Sequence, residues 1–491
     1  MSTHSLHWTE QKIATRLKLI EPLQYRKRHP IAPFRYAKLN NAKETPPVEI
    51  TVDDSGWPII KADTYWGNWA ENFCMRTTFQ VPEGFDRDAP IALHLPLGVA
   101  GDIFCHPEAL AYVDGVPYVS TDRYHHEIML SAEMADGDEH LLALHGWTGL
   151  SGWPPDPNAK TKLFMRECAV VEIDEPTREF VMHVRVSLDV AKRLDKNHAS
   201  RNHLLSALDA AFKTLDTRDP IDDGRLYATI PAALGTLKAG IEQAKHNHHL
   251  DLIAVGHAHI DIAYLWRVEQ ARRKSGRTFS NVLHLMDRFP DYHFTQSQPQ
   301  LYKYLEEDYP HLFEGIKGKV KEGRWELLGG MWVEPDCSLT GPESLVRQIL
   351  LGRRYFADKF GDDAETPCLW LPDTFGFAWS LPQLMKQAGL KWFVTNKLNW
   401  NQYNPMPFQL FQWQGIDGTK VVAHLLTTPR PVQYLPFATT YKAELTADEV
   451  VGTWENFKQK GDHHELIVAY GYGDGGGGPT RELIETAHIL K

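Results

Sequence analysis

The sequence predicts a multidomain chain: an N-terminal β-sandwich followed by a seven-stranded, mostly parallel β/α barrel-like domain. Three observations predict it. The chain has 491 residues, and length alone suggests roughly three average domains. Residues 46–190 carry short apolar runs broken by Gly, Pro and Asp, the pattern of an antiparallel sandwich. From residue 250 onward, apolar strand runs alternate with helical patterns, which implies a mostly parallel sheet, open or closed into a barrel.

Taken in order, residues 1–45 read as a polar, basic N-terminal extension, with a helix over 8–21 and Pro-interrupted coil beyond. The 46–190 region contains IALHLPL, LAYVDGVPYVS and HLLALHGWTGL, and its Val113-Asp114-Gly115-Val116 is a hairpin signal. Residues 191–248 lack strand alternation, carry apolar Leu204, Leu205 and Leu208, and read as a helical connector. Within 249–491 the expected strands are 251–256, 292–297, 324–330, 367–371, 392–396, 420–425 and 465–470. Thr340-x-x-Glu343 and Thr446-x-x-Glu449 have capping-box form before helical runs. The chain closes inside a helical pattern, TRELIETAHILK, with no stop signal, so a fragment of a longer protein is expected.

Composition narrows the partners. Net charge is −11, with Lys and Arg dispersed, which argues against nucleic acid, whose binding needs a concentrated basic patch. The start, MSTHSLHWTEQKIATRL, has no apolar core of a signal peptide. No apolar stretch reaches the ~18–20 residues of a membrane span, so no membrane partner is expected. Cys74, Cys105, Cys168, Cys337 and Cys368 are odd in number and scattered; a reduced, cytoplasmic location is the simplest expectation. Aromatic residues make up 11%, with 15 Trp, which suits carbohydrate handling and large cores alike.

The chemistry concentrates at strand ends. GHAHIDIAYLW (256–266) follows an apolar run and places His259 and Asp261 two residues apart. In extended backbone those side chains leave on one side, giving half of a divalent-metal site. PCLWLPDTFGF (367–377) presents Asp373 after a second run, and GYGDGGGGPT (471–480) presents Asp474 after a third. The C-terminal ends of parallel strands are where such folds bind ligands. The glycines of GDGGGG let backbone approach a ligand closely, and the missing Lys-Ser/Thr argues against a phosphate loop. Plainer roles compete. His259 and Asp261 fit an ordinary loop, Asp373 a helix N-cap, and Asp474 a Gly-rich turn. Glu334 fits a pair with Arg347, and Arg26-Lys27-Arg28 fits a solvated surface. His257 and His424 read as hydrogen-bonded supports.

These motifs resemble the N-terminal part of glycoside hydrolase family 38, the class II α-mannosidases, in its cytosolic and vacuolar subgroup. The resemblance is carried by GHAHIDIAYLW, FTQSQPQLY (294–302), GRWELLGGMWVEPDCSLTGPESLVRQ (323–348), LWLPDTFGF (369–377), TNKLNWNQYN (395–404), FQWQGIDGTKVVAH (411–424) and YGYGDGGGGPT (470–480). Upstream, WGNWAENF (66–73), PEALAYVDGVP (107–117) and LHGWTGL (144–150) resemble that subgroup's additional N-terminal domain.

The resemblance implies a retaining, exo-acting hydrolase of terminal α-mannosyl residues on oligosaccharides. It implies one zinc ion, or another divalent metal, on His259, Asp261 and Asp373, with a second histidine ligand expected beyond Lys491. Asp373 would be both ligand and nucleophile, and Asp474 the acid/base. Retaining chemistry uses two carboxyl groups about 5–5.5 Å apart, and as an acid Asp474 would need a raised pKa. The ion is expected to grip sugar hydroxyls rather than activate water. Trp266, Trp332, Phe375, Trp379 and Trp400 are candidate sugar walls, with Glu334 and Asp336 as candidate hydroxyl-binding groups. Two rivals stand beside this expectation: a metal-dependent carbohydrate deacetylase and a non-catalytic sugar-binding fragment. The N-terminal β-domain is assigned neither to homo-oligomer formation nor to shaping the site entrance.

Overall fold

Alternating apolar residues drive parts of the first half of the chain into sheets, and helical apolar stripes pack against one another in a separate core. In the computed structural model, residues 8–98, 107–150, 156, 158, 162–221, 224–244, 250–362 and 364–491 are described. Two compact units emerge: residues 1–247 with 488–491, and residues 248–487.

The first unit contains two antiparallel sheets. One has the order Ile59–Ile60, Phe34–Leu39, Asn72–Phe79, His140–Trp147, Glu108–Val113, Val116–Thr121. The other runs Tyr25–Pro30, Ala169–Ile173, Ile91–His94, Glu127–Met129. Phe73, Met75 and Leu144 from the first share a buried core with Leu93 and Val170 from the second, as two face-to-face layers require. The hairpin at Asp114-Gly115 forms, and both turn residues have positive φ, the geometry of a tight two-residue connection.

The expected boundary at residue 45 falls inside these sheets. Tyr25–Pro30 and Phe34–Leu39 pair with Ala169–Ile173 and Asn72–Phe79, where coil was expected. Lys27 lies on the first of these strands and pairs with buried Glu172 at 2.7 Å, so the basic triplet is more than a solvated surface. The helix Thr9–Ile20 packs Ile13, Leu17 and Ile20 against Glu175–Arg193, Ala199–Thr214 and Arg225–Glu242. The residues expected as a connector therefore share a helical core with the chain's start. Cys74, Cys168, Cys337 and Cys368 are free and buried; Cys105 lies outside the described residues.

In the second unit all seven expected strands form, as Asp251–His257, Phe294–Gln296, Trp325–Leu327, Cys368–Trp370, Trp392–Thr395, Lys420–Leu425 and Glu465–Tyr470. An eighth, Leu410–Gln414, adds an antiparallel edge beside Lys420–Leu425. Hydrogen bonding divides them into two four-stranded sheets rather than the expected single sheet. One sheet orders Trp325–Leu327, Phe294–Gln296, Asp251–His257 and Glu465–Tyr470, all parallel. The other orders Cys368–Trp370, Trp392–Thr395, Lys420–Leu425 and Leu410–Gln414. A parallel bridge between Leu327 and Glu365 joins the two edges. At the far edge, Ala443 donates its backbone N–H to Ala469. The seven parallel strands thus succeed one another in chain order, and Trp370, Leu426, Tyr441 and Ala469 fill one apolar cluster with Val255 and Val394.

Helix starts discriminate between the two expected capping boxes. Thr446 and Glu449 form a complete reciprocal box. At the other site Gly341 is the N-cap, and no side chain caps the helix Pro342–Phe360. Thr446→Ala should therefore lower unfolding free energy by about 1 kcal/mol, whereas Thr340→Ala should change it by less than about 0.5 kcal/mol. Equal shifts of the denaturation midpoint in the two variants would contradict this assignment.

Candidate metal centre and active site

His259 and Asp261 lie two and four residues beyond the Asp251–His257 strand, and Ile260 between them is bridged to Gly475. The backbones are tied on both sides of this bridge. Asp261 donates its N–H to the carbonyl of Asp474 at 2.8 Å, and Gly476 donates to His259 O at 3.2 Å. The Gly-rich loop can lie this close only without side chains. A Cβ at Gly471, where φ is +122°, would sit 2.5 Å from His257 O. Asp373 follows the Cys368–Trp370 strand by three residues.

The structure brings His259, Asp261 and Asp373 together, with ligand atoms all within 4.8 Å of one another. His259 Nε2 lies 3.0 Å from Asp261 Oδ1 and 3.5 Å from Asp373 Oδ2. On the other side, His259 Nδ1 is 3.1 Å from Glu334 Oε1, so an Nδ1–H donated to Glu334 turns the Nε2 lone pair toward the two aspartates. Ser297 Oγ also donates to Glu334 Oε1 at 3.2 Å. Glu334 is buried, and its Oε2 accepts no hydrogen bond from the described residues. It does not pair with Arg347, which instead contacts Glu343.

Electrostatics follow from this crowding. Burial opposes a charged His259, but Glu334, Asp261 and Asp373 outweigh it and raise the imidazole pKa well above its ordinary value. Burial likewise opposes ionised Asp373, yet His259 and Lys397 hold its carboxyl far below the usual range. One imidazole nitrogen and two carboxylates, with a buried glutamate behind the imidazole, is a donor set that fits a zinc ion and leaves a coordination position open.

Asp474 sits beside this cluster with φ of +67°, a left-handed turn residue as well as a site candidate. Its Oδ1 accepts from Tyr441 OH at 2.8 Å, and its Oδ2 pairs with Lys442 at 2.5 Å. Burial would raise its pKa, but Lys442 and His259 prevail and lower it. The raised value expected of an acid is therefore absent. The Tyr441 ring also packs edge-on against His259, with centroids 5.2 Å apart.

The aromatic candidates separate into two groups. Trp266 is buried, donates Nε1 to Asp261 O at 3.0 Å and supports the loop rather than lining an open wall. Trp332 donates to Gln300 at 3.1 Å and packs on Tyr355. Asp336 folds back to accept from Ser338 and Leu339 backbone N–H groups. Phe375, 71% exposed, and Trp400 stand near Asp373 through Lys397, which lies 4.3 and 3.6 Å from their ring centroids. Trp379 is exposed and donates to Gln414 O. His257 is a buried support: its Nδ1 faces Thr295 O, its Nε2 faces Trp370 Nε1, and burial pushes its pKa down to about 3. Burial likewise pushes His424 down to about 4.

Sequence reasoning missed Lys397, Lys442, Tyr441, Tyr264 and Gln298. Lys397 lies two residues beyond the Trp392–Thr395 strand, so its strand-end position was the available signal. Gln298, with φ of +65°, clamps the site by donating Nε2 to Ile260 O and accepting from Glu334 N–H.

Residues 249–491 match the family described as "Glycosyl hydrolases family 38 N-terminal domain". The chain is 35% identical to Alpha-mannosidase G of Dictyostelium discoideum, over 69% of this chain and 29% of that protein. It is 38% identical to an Alpha-mannosidase of Saccharomyces cerevisiae, over 51% of this chain and 22% of that one. It is 31% identical to Alpha-mannosidase 2C1 of Homo sapiens, over 77% and 36% respectively. The chain thus spans 22–36% of the length of these relatives. No helix among the described residues is long and apolar enough to cross a membrane.

Glu334→Gln should weaken zinc binding by about 10–100-fold, the usual effect of losing the carboxylate behind a ligating histidine. Competition with a chromophoric chelator reads this directly. Unchanged affinity would show that Glu334 does not orient His259.

Proposed function

With residues 249–491 belonging to glycosyl hydrolase family 38, we propose that they form the site of a zinc-dependent, retaining α-mannosidase acting on terminal mannosyl residues of oligosaccharides. One observation supports the reading: Asp373 meets the metal-ligand cluster through Oδ2 while its buried Oδ1 meets Lys397, whose Nζ lies over two aromatic rings. His259, Asp261 and Asp373 would hold the ion, which when bound supplies a Lewis-acidic grip on sugar hydroxyls.

The remaining work falls to the chain's own groups. Asp373 is kept ionised, as a nucleophile must be. Its carboxylate attacks the anomeric carbon while the glycosidic C–O bond breaks and the leaving oxygen takes a proton from Asp474. Water then attacks the same carbon, loses a proton to Asp474 and releases Asp373. The ionised state of Asp474 beside Lys442 suits the second half of this cycle; the first half requires its protonated form. Phe375 and Trp400 supply apolar ring surface beside the reacting carboxylate, a place for the hydrophobic face of a pyranose.

A fluorinated mannosyl donor should label Asp373 covalently, detectable by mass on the peptide containing PDTFG. A deacetylase forms no such adduct, so a protein that turns over without labelling ends the reading. Asp474→Asn should lose ~10²–10⁴-fold on substrates with poor leaving groups and far less on a nitrophenyl α-mannoside. Equal losses on both would remove Asp474 from the acid role.

A further inference from the structure

Lys397 is a buried lysine of the site. Its side chain is 5% exposed and sits in the short turn Lys397–Asn399, just past a strand end. Nζ approaches Asp373 Oδ1 to 2.5 Å, outside hydrogen-bond alignment, since Oδ1 accepts no aligned bond; the contact is ionic. Three rings surround the same nitrogen: Trp400 at 3.6 Å, Phe375 at 4.3 Å and Tyr441 at 5.9 Å from their centroids. The cage is itself anchored, because Trp400 Nε1 donates to Thr439 O at 2.8 Å and Trp400 N–H donates to Lys397 O at 3.0 Å. A cation so enclosed by aromatic faces stays in place without water. The two oxygens of Asp373 therefore meet different neighbours, Oδ2 the imidazole and Oδ1 the ammonium.

We propose that Lys397 is a positioning residue that keeps Asp373 Oδ1 off the metal, so that the carboxylate meets the ion through Oδ2 alone. The consequence for reactivity rests on the mannosidase reading: Oδ1, held by the ammonium and not by the ion, is then the oxygen that bonds the anomeric carbon. The division of the carboxylate itself does not depend on that reading. Without the ammonium, nothing prevents a carboxylate from turning both oxygens to a nearby cation, and carboxylates bind metals in either mode.

Cobalt(II) replaces zinc in such sites and its visible absorption reports coordination geometry. The test compares cobalt-loaded wild type, Lys397→Met, Lys397→Gln and Lys397→Arg, with Asp373→Asn as the control that ties the band to Asp373. Absorption per bound cobalt should fall in Lys397→Met and Lys397→Gln, as a second Asp373 oxygen enters the shell, and should return in Lys397→Arg. Melting curves identify any variant that fails to fold, in which case the other neutral variant is read. A neutral variant whose spectrum superimposes on wild type overturns the proposal, as does a wild type that binds no cobalt. Nitrophenyl α-mannoside hydrolysis is measured on the same samples. Changed spectra in the neutral variants, beside a wild type that does not hydrolyse mannoside, remove the mannosidase reading and leave the role of Lys397 standing.

Discussion

The site depends on a backbone clasp between two strand-end segments far apart in sequence. Asp261 donates to the Asp474 carbonyl and Gly476 to that of His259, with Ile260 and Gly475 bridged between them. Backbone bonds of this kind fix position more tightly than side-chain contacts, because they leave no rotamer to adjust. Through the clasp, the His259–Asp261 pair and the Asp474 carboxylate share one frame. The close fit of the Gly-rich loop against His257 and His259 is the steric condition that allows it.

Charge is the second constraint. Asp261, Asp373, Glu334 and Asp474 converge on a small volume, and isolated carboxylates cannot remain ionised together there. Lys397 and Lys442 supply fixed positive charge, one ammonium on Asp373 and the other on Asp474. The imidazole of His259 stands between Glu334 and the aspartates Asp261 and Asp373. The neighbouring phenols register the same field. Tyr441 and Tyr264 are both pushed upward, first by burial and then by the surrounding aspartates. Positive charge on the site is thus as specific in placement as negative charge.

Much of this was legible in the sequence, and the remainder was not for identifiable reasons. The strands of the second unit announced themselves as apolar runs ending in chemistry-bearing residues, and His259, Asp261 and Asp373 followed from that rule. The capping box at Thr446 was readable because both partners lie within one turn. At Thr340 the same spelling failed because Gly341-Pro342 supplies the helix start. The strand Leu410–Gln414 was passed over because edge strands pair on one side only. The sandwich strands at 25–39 were hidden by Lys and Arg, whose charged ends reach solvent while the backbone pairs. Lys397 and Lys442 were missed because a lone lysine carries no periodic signal; only the fold reveals what it faces.

The distribution of exposure around the site bears on how its selectivity can be altered. Phe375 and Tyr264 present half or more of their surface to solvent, whereas residues 471–478 include several glycines at positive φ, one of them sterically locked against the His257 carbonyl. If the mannosidase proposal holds, libraries aimed at new glycan preferences should therefore randomise Phe375 and Tyr264 and spare the glycine run. Diversity at the rim costs little packing, while almost any side chain placed in the run would dismantle the frame on which reactivity rests.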